Sequence, residues 1–194
     1  MFACPRCKKN LNVRGYSGKC PKCGFEYKKV YGIWHFLYTR GEKTKDSLKK
    51  YDISHKEASG RPSDGSYEIL ASIARGNKTI DIGCGDGFIE NLASETVGVE
   101  FSVKALSKAK AKGAKHLVLA DAHHLPFRNN SFDVAISAGS LEHFENPQKA
   151  IFEMARVSKI QILTVHKPPP FPLSPISPLF LSLFKNLTIS PPTL

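Results

Sequence analysis

The sequence predicts an α/β fold: a doubly wound, mostly parallel sheet of five to six strands, preceded by a small β-rich module. Three observations lead there. From Lys78 onward, short apolar runs alternate with segments patterned as helices, the arrangement of a parallel sheet covered on both faces. The first run, KTIDI, ends in a glycine-rich turn, DIGCGDG, from Asp81 to Gly87. The first 39 residues hold four of the five cysteines in two tight pairs, set among short β-like runs.

The elements follow in order. SYEILASIARG places Tyr67, Leu70, Ala71 and Ala74 at helical spacing, with Gly76 as the stop. KTIDI is a strand and GFIENLASE a helix. TVGVEF is the second strand. SVKALSKAKAKG is a helix with Ser102 as N-cap and Gly113 as its end. KHLVLADA is a strand, HHLPFRNNS a loop and FDVAISAG the fourth strand. NPQKAIFEMARVS is a helix with Asn146 at the N-cap and Pro147 at its first position. KIQILTVH is the fifth strand. This divides the chain into a cysteine module (1–39), a polar basic linker (40–65), the α/β core (66–167) and a proline-rich apolar tail (168–194).

Composition narrows the class. Hydrophobic residues make up 41% and charged residues 23% of the 194-residue chain, ordinary for a globular protein with a sizeable core. No uninterrupted apolar stretch reaches the roughly 18 residues of a membrane span, and MFACPRCKKN lacks the apolar centre of a signal peptide, so a cytoplasmic location is expected. The net charge of +11 is concentrated at the front. Residues 1–60 carry 14 Lys/Arg against 5 Asp/Glu, whereas 61–167 carry 13 against 12. Such a front either keeps the protein in solution or meets an anionic partner.

The glycine turn excludes two nucleotide sites. A P-loop needs Lys and then Ser/Thr after its last glycine, where Phe88 and Ile89 stand. The dinucleotide fingerprint needs a small residue where Phe88 lies. What remains is Gly83-x-Gly85-x-Gly87 preceded by Asp81, and this resembles motif I of class I S-adenosylmethionine (SAM)-dependent methyltransferases. Three further segments in order strengthen the resemblance: Glu100 ending the second strand, Asp121-Ala122 ending the third, and SFDVAISAGSLEHF with NPQKAIFEMARVSK. The likeness extends over residues 66–167, and is greatest to the group that includes quinone-biosynthesis methyltransferases. It implies a Rossmann-like fold and SAM as cofactor. The site it implies comprises Asp81, Gly83, Cys84, Gly85, Gly87, Glu100, Phe101, Asp121, Ala122 and Ser137. Asp81 would hold the ammonium of SAM, Glu100 both ribose hydroxyls, and Asp121-Ala122 the adenine. Cys84 reads as a small residue between two glycines.

The cysteine pairs, Cys4/Cys7 and Cys20/Cys23, are two C-x-x-C knuckles separated by 12 residues. Four thiolates at this spacing suit a structural Zn²⁺ without an open catalytic position. The ribbon resembles the N-terminal zinc module of rRNA guanine-N1 methyltransferases, though many of those use His as fourth ligand. It also resembles the small zinc-ribbon activator of translation-machinery methyltransferases. His35 lies beyond any ligand place and reads as a surface or packing residue. Trp34, Phe36 and Leu37 are candidates for docking the ribbon on the core.

The function this predicts is methyl transfer from SAM, with the ribbon helping to recognise acceptor or partner. RNA is the first expectation for the acceptor, from the basic front and the resemblance. The alternatives are a small-molecule or lipid methyltransferase, and a SAM-binding adaptor without turnover. A protein partner, and either a monomer or a dimer, are compatible with the sequence. The acceptor is expected over the end of the fourth strand, Ala138 to Phe144, where AGSLEHF lacks the Asn/Asp-Pro-Pro-aromatic motif of adenine-N6 and glutamine enzymes. Glu142 and His143 are the polar candidates there, for catalysis or for scaffold. His123 and His124 read as surface histidines. In the tail, PLFLSLFKNL sets Leu179, Phe180, Leu183, Phe184 and Leu187 on one helical face, and LTIS supplies at most one short strand.

Overall fold

The computed structural model describes residues 1–37, 65–164 and 187–189. Ten strands form one sheet in the order β1-β2-β3-β4-β7-β6-β5-β8-β9-β10. The core strands are β5 (Thr79–Ile82), β6 (Val97–Glu100), β7 (His116–Leu119), β8 (Phe132–Ala138) and β9 (Ser158–Thr164). All pair in parallel. β10 (Leu187–Ile189) adds a sixth parallel strand beside β9, as expected for LTIS. The helices are α1 (Ser66–Ala74), α2 (Phe88–Leu92), α3 (Val103–Ala111) and α4 (Pro147–Val157), with 3-10 turns at Ala122–His124 and Leu141–His143. The linker and the apolar PLFLSLF stretch lie outside the described residues.

The caps read from the sequence are present. Ser102 Oγ accepts from Ala105 N at 3.2 Å and Asn146 Oδ1 from Lys149 N at 2.9 Å, each satisfying an N–H that the first helical turn leaves without a partner. Gly76 and Gly113 both take positive φ, which ends α1 and α3 at little steric expense. β5 is buried along its whole length, as a central parallel strand must be.

The ribbon is β1 (Asn12–Arg14), β2 (Ser17–Lys19), β3 (Glu26–Val30) and β4 (Ile33–His35), an antiparallel meander. Its last strand pairs in parallel with β7, Ile33 to Leu117 and His35 to Leu119. The core sheet therefore does not stop at β7. The ribbon occupies that edge, and so removes a row of unpaired N–H and C=O groups. Side chains reinforce the junction. Phe2 packs at tilted angles against Trp34, Phe36 and Phe127 with ring centroids 4.9–5.5 Å apart. Trp34, Phe36 and Phe127 are buried. Burying each such side chain is worth roughly 1.5–3 kcal/mol.

The parallel pairing also orients the ribbon. β4 runs toward the carboxyl ends of the core strands, so β2 does too, and the knuckle after it (Cys20–Cys23) lies at that end. The β1–β2 and β3–β4 turns lie at the opposite end.

Candidate active site and metal centre

The turn after β5 is built by three glycines with φ of 79°, 55° and 82° at Gly83, Gly85 and Gly87, a region that L side chains rarely enter. They differ in surroundings. A Cβ on Gly83 would meet Ser140 Oγ at 2.5 Å, and one on Gly87 would meet Ala109 Cβ at 2.8 Å. A Cβ on Gly85 would meet nothing within 4 Å. Gly85 thus presents backbone to open space. Beside it, Gly85 N donates to Glu100 Oε2 at 3.1 Å. Glu100 Oε1 accepts from Phe101 N at 2.6 Å and Ser102 N at 2.8 Å. Three N–H groups hold the carboxylate at the end of β6, next to the open face of the turn.

Beneath the turn lies a buried acid cluster. Asp81 is 2% and Glu90 1% exposed. Asp81 Oδ1 and both Glu90 carboxyl oxygens are without a hydrogen-bond partner. Gly98 makes room for Glu90 and Cys84: a Cβ there would lie 2.9 Å from both Cys84 Sγ and Glu90 Oε1. Burial, and then the Glu100 carboxylate, raise the Asp81 pKa to about 7. Burial, and then Asp81, raise that of Glu90 well above the carboxylate range. Cys84 is raised likewise by burial, and is a packed thiol.

The sign for Asp81 is settled by linkage. Its folded pKa exceeds the unfolded value near 3.8, so the stability tied to its proton is present below pH 4. That stability is lost as pH rises through about 7. In protein without cofactor, Asp81→Asn should therefore gain on the wild type by a few kcal/mol between pH 4 and pH 7. Thermal unfolding across pH 4–8 measures this, and parallel curves for the two proteins would remove Asp81 as the source.

Asp121 follows β7 and caps the 3-10 turn, accepting from His123 N at 2.8 Å. His123 Nε2 accepts from Asn146 N at 3.1 Å, so its Nδ1–H donates to Asp121 Oδ1 at 2.6 Å. His124 Nε2 accepts from Lys149 Nζ at 2.7 Å, and its Nδ1 faces Asp121 Oδ2 at 3.3 Å. Burial works to raise the Asp121 pKa, but the His123 contacts outweigh it and bring it to about 2. These histidines are thus not the surface groups expected from sequence. They are half-buried and tie the end of β7 to the start of α4, because the capping carboxylate turns both rings inward. Ala122 is buried beside them.

The segment after β8 folds back over the turn. Ser140 Oγ donates to Ile82 O at 2.9 Å and meets Ser137 Oγ at 2.7 Å. Ser137 itself is fully buried. Phe144 lies against His123, with centroids 6.1 Å apart. Glu142 and His143 are exposed on the 3-10 turn, at the carboxyl end of β8. Sequence reasoning missed Ser140 and Glu90. Their only signal was the crowding that Gly83 and Gly98 avoid, which a linear reading does not show.

At the same end of the sheet, the sulfurs of Cys4, Cys7, Cys20 and Cys23 all lie within 4.8 Å of one another. Cys4–Cys23 is 3.6 Å, Cys7–Cys20 3.5 Å and Cys7–Cys23 4.0 Å. Four sulfurs at about 2.3 Å from a tetrahedral zinc are ~3.8 Å apart, so the set fits that ion. The Tyr27 hydroxyl meets Cys4 Sγ at 3.4 Å. The first knuckle is fastened to the core. Lys8 Nζ reaches Glu153 Oε2 at 2.6 Å and Leu125 O at 3.3 Å. Arg156 donates to Leu125 O and Phe127 O at 3.0 and 2.7 Å. The loop so held runs directly on from Asp121–His124.

Residues 80–161 match the family model described as a methyltransferase domain. The matched segment is 82 of the chain's 194 residues. The domain resembles an uncharacterized protein of Methanocaldococcus jannaschii, MJ1252, at 41% identity over 92 residues, 47% of this chain and 36% of that one. A probable tRNA methyltransferase 9B of Bos taurus is 38% identical over 95 residues, 46% of this chain and 21% of that one. The matches thus take in about a third and a fifth of these relatives. Among solved structures, a SAM-dependent methyltransferase of Thermotoga maritima, described as a possible histamine N-methyltransferase, aligns with a TM-score of 0.49. Its identity is 19%, over 74% of this chain and 70% of that one. Among the described residues, no helix is long and apolar enough to cross a membrane.

Proposed function

We propose that this methyltransferase domain uses SAM to methylate RNA, with a zinc-bound ribbon beside the cofactor. The observation that carries the reading is the open backbone face of Gly85 next to the held carboxylate of Glu100. A methionine chain can lie against the former, and ribose hydroxyls can donate to the latter. Asp81, under the turn, supplies negative potential for the ammonium once ionised, a form that the bound cation itself favours. Ala122 and the Asp121 turn border the adenine. SAM, when bound, supplies an activated methyl group for in-line displacement. The chain positions the acceptor and keeps water out. Ser140 and Phe144 close over Gly83, and Glu142 and His143 stand where a proton leaving the acceptor would be taken.

RNA as acceptor rests on charge. Residues 1–37 carry eight Lys/Arg against the single acid Glu26, and the knuckle end of the ribbon shares the cofactor end of the sheet. Similarity to a probable tRNA methyltransferase supports it. The zinc in this reading is structural, held by Cys4, Cys7, Cys20 and Cys23. The test is incubation of the zinc-loaded full chain with radiolabelled SAM and total RNA, protein or lipid extracts. Label in RNA is expected. Label confined to lipid or small molecules would replace the acceptor, and no label in any fraction would favour an adaptor.

A further inference from the structure

The ribbon has a second end, which the cofactor site does not use. Tyr16 is 75% and Tyr31 88% exposed, more than any other large apolar side chains among the described residues. They occupy the β1–β2 and β3–β4 turns, which the meander brings to the same end of the sheet. Adjacency is direct, since Lys29 N donates to Tyr16 O at 2.8 Å. Exposed Arg14 precedes the first turn and exposed Lys28 lies opposite Ser17. From the core, Lys110 near the end of α3 donates to Tyr31 O. The patch therefore continues from ribbon to core, two aromatic tips ringed by cations.

We propose that this end is a platform for single-stranded nucleic acid, on which Tyr16 and Tyr31 stack unpaired bases while Arg14, Lys28, Lys29 and Lys110 meet the phosphates. It rests on the RNA reading above and extends it to a second contact. An exposed tyrosine ring offers a base a flat partner without regard to sequence, and cations beside it follow the backbone. A duplex hides its bases and cannot use the tips. Because β4 runs parallel to β7, the platform lies at the amino ends of the core strands. It is separated from the Gly83–Gly87 turn by the length of a strand, roughly 13 Å for four residues. An acceptor touching both must span the sheet edge, as a polynucleotide does. The platform residues are positioning residues, whose loss should raise KM and leave kcat.

The test is fluorescence anisotropy with a labelled 20-nucleotide oligouridylate and a 20-base-pair RNA duplex, on the full zinc-loaded chain, across a salt series. Tyr16→Ala with Tyr31→Asn is expected to weaken binding of the single strand tenfold or more without changing its salt slope. Asn is chosen because residue 31 has a φ of 47°, which Asn tolerates. Arg14→Gln with Lys28→Gln should instead lower the slope by about 1.4. Zinc content and S-adenosylhomocysteine binding should be unchanged in both variants. Wild-type affinity in the tyrosine variant, or preference for the duplex, would overturn the platform. Tyrosine-dependent binding without methylation of any RNA would leave the platform standing and remove RNA as acceptor.

Discussion

Glu100→Gln is expected to weaken binding of S-adenosylhomocysteine by a hundredfold or more. The carboxylate accepts from Gly85, Phe101 and Ser102 N–H groups, and only an acceptor on both oxygens can do so. An amide turns one of those oxygens into an N–H₂ facing a donor. The glycine turn loses its tie to β6, and in the proposed site ribose would lose its anionic partner. Hydrogen bonds to a charged group contribute about 1.5–3 kcal/mol each, so losing two gives a hundredfold to a ten-thousandfold drop. Calorimetry on wild type and variant reads this directly. Circular dichroism and zinc content establish that the variant is folded. An affinity within threefold of wild type would remove Glu100 from the cofactor site.

The second large effect is on the ribbon. Cys20→Ser, or removal of metal by a strong chelator, should abolish binding of about one zinc per chain and unfold residues 1–37. Short strands of three to five residues cannot hold a fold on their own, and structural zinc supplies on the order of 10 kcal/mol in such modules. The consequence should reach the core. Without the ribbon, β7 becomes an open edge and Phe127 loses Phe2 as a neighbour. The Leu125–Phe127 loop loses Lys8. Because that loop continues from Asp121–His124, cofactor affinity should fall as well, and the melting temperature should drop. Hydrogen exchange and calorimetry on the metal-free chain measure both. Full protection of residues 1–37 without metal would sink the claim.

The elements most legible in the sequence were those whose cause is local. A glycine run after an apolar strand marks a turn with positive φ, because only glycine enters that region freely. Ser102 and Asn146 stand at helix starts because a short polar side chain satisfies a free N–H within its own turn. Each C-x-x-C pair marks a knuckle because its turn is local, and the short meander then brings the two knuckles together. The apolar runs of β5 through β8 identified buried parallel strands, since burial on both faces leaves no alternation.

What only the tertiary structure decided depends on partners distant in the chain. Nothing in IWH indicates that it will pair with HLVL more than 80 residues later. A strand's edge hydrogen bonds are the same for every sequence, so side-chain pattern cannot name the neighbour. That pairing makes the ribbon part of the sheet, places its cysteines at the carboxyl end of the core strands and sends Tyr16 and Tyr31 to the other. The same holds for His123 and His124, which look like loop residues until Asp121 and Asn146 surround them. Glu90 looks like a solvated helix position until Gly98 opens a space for it under the turn. In each case the chemistry of the group was plain from its residue type, and its role was set by what packing brought beside it.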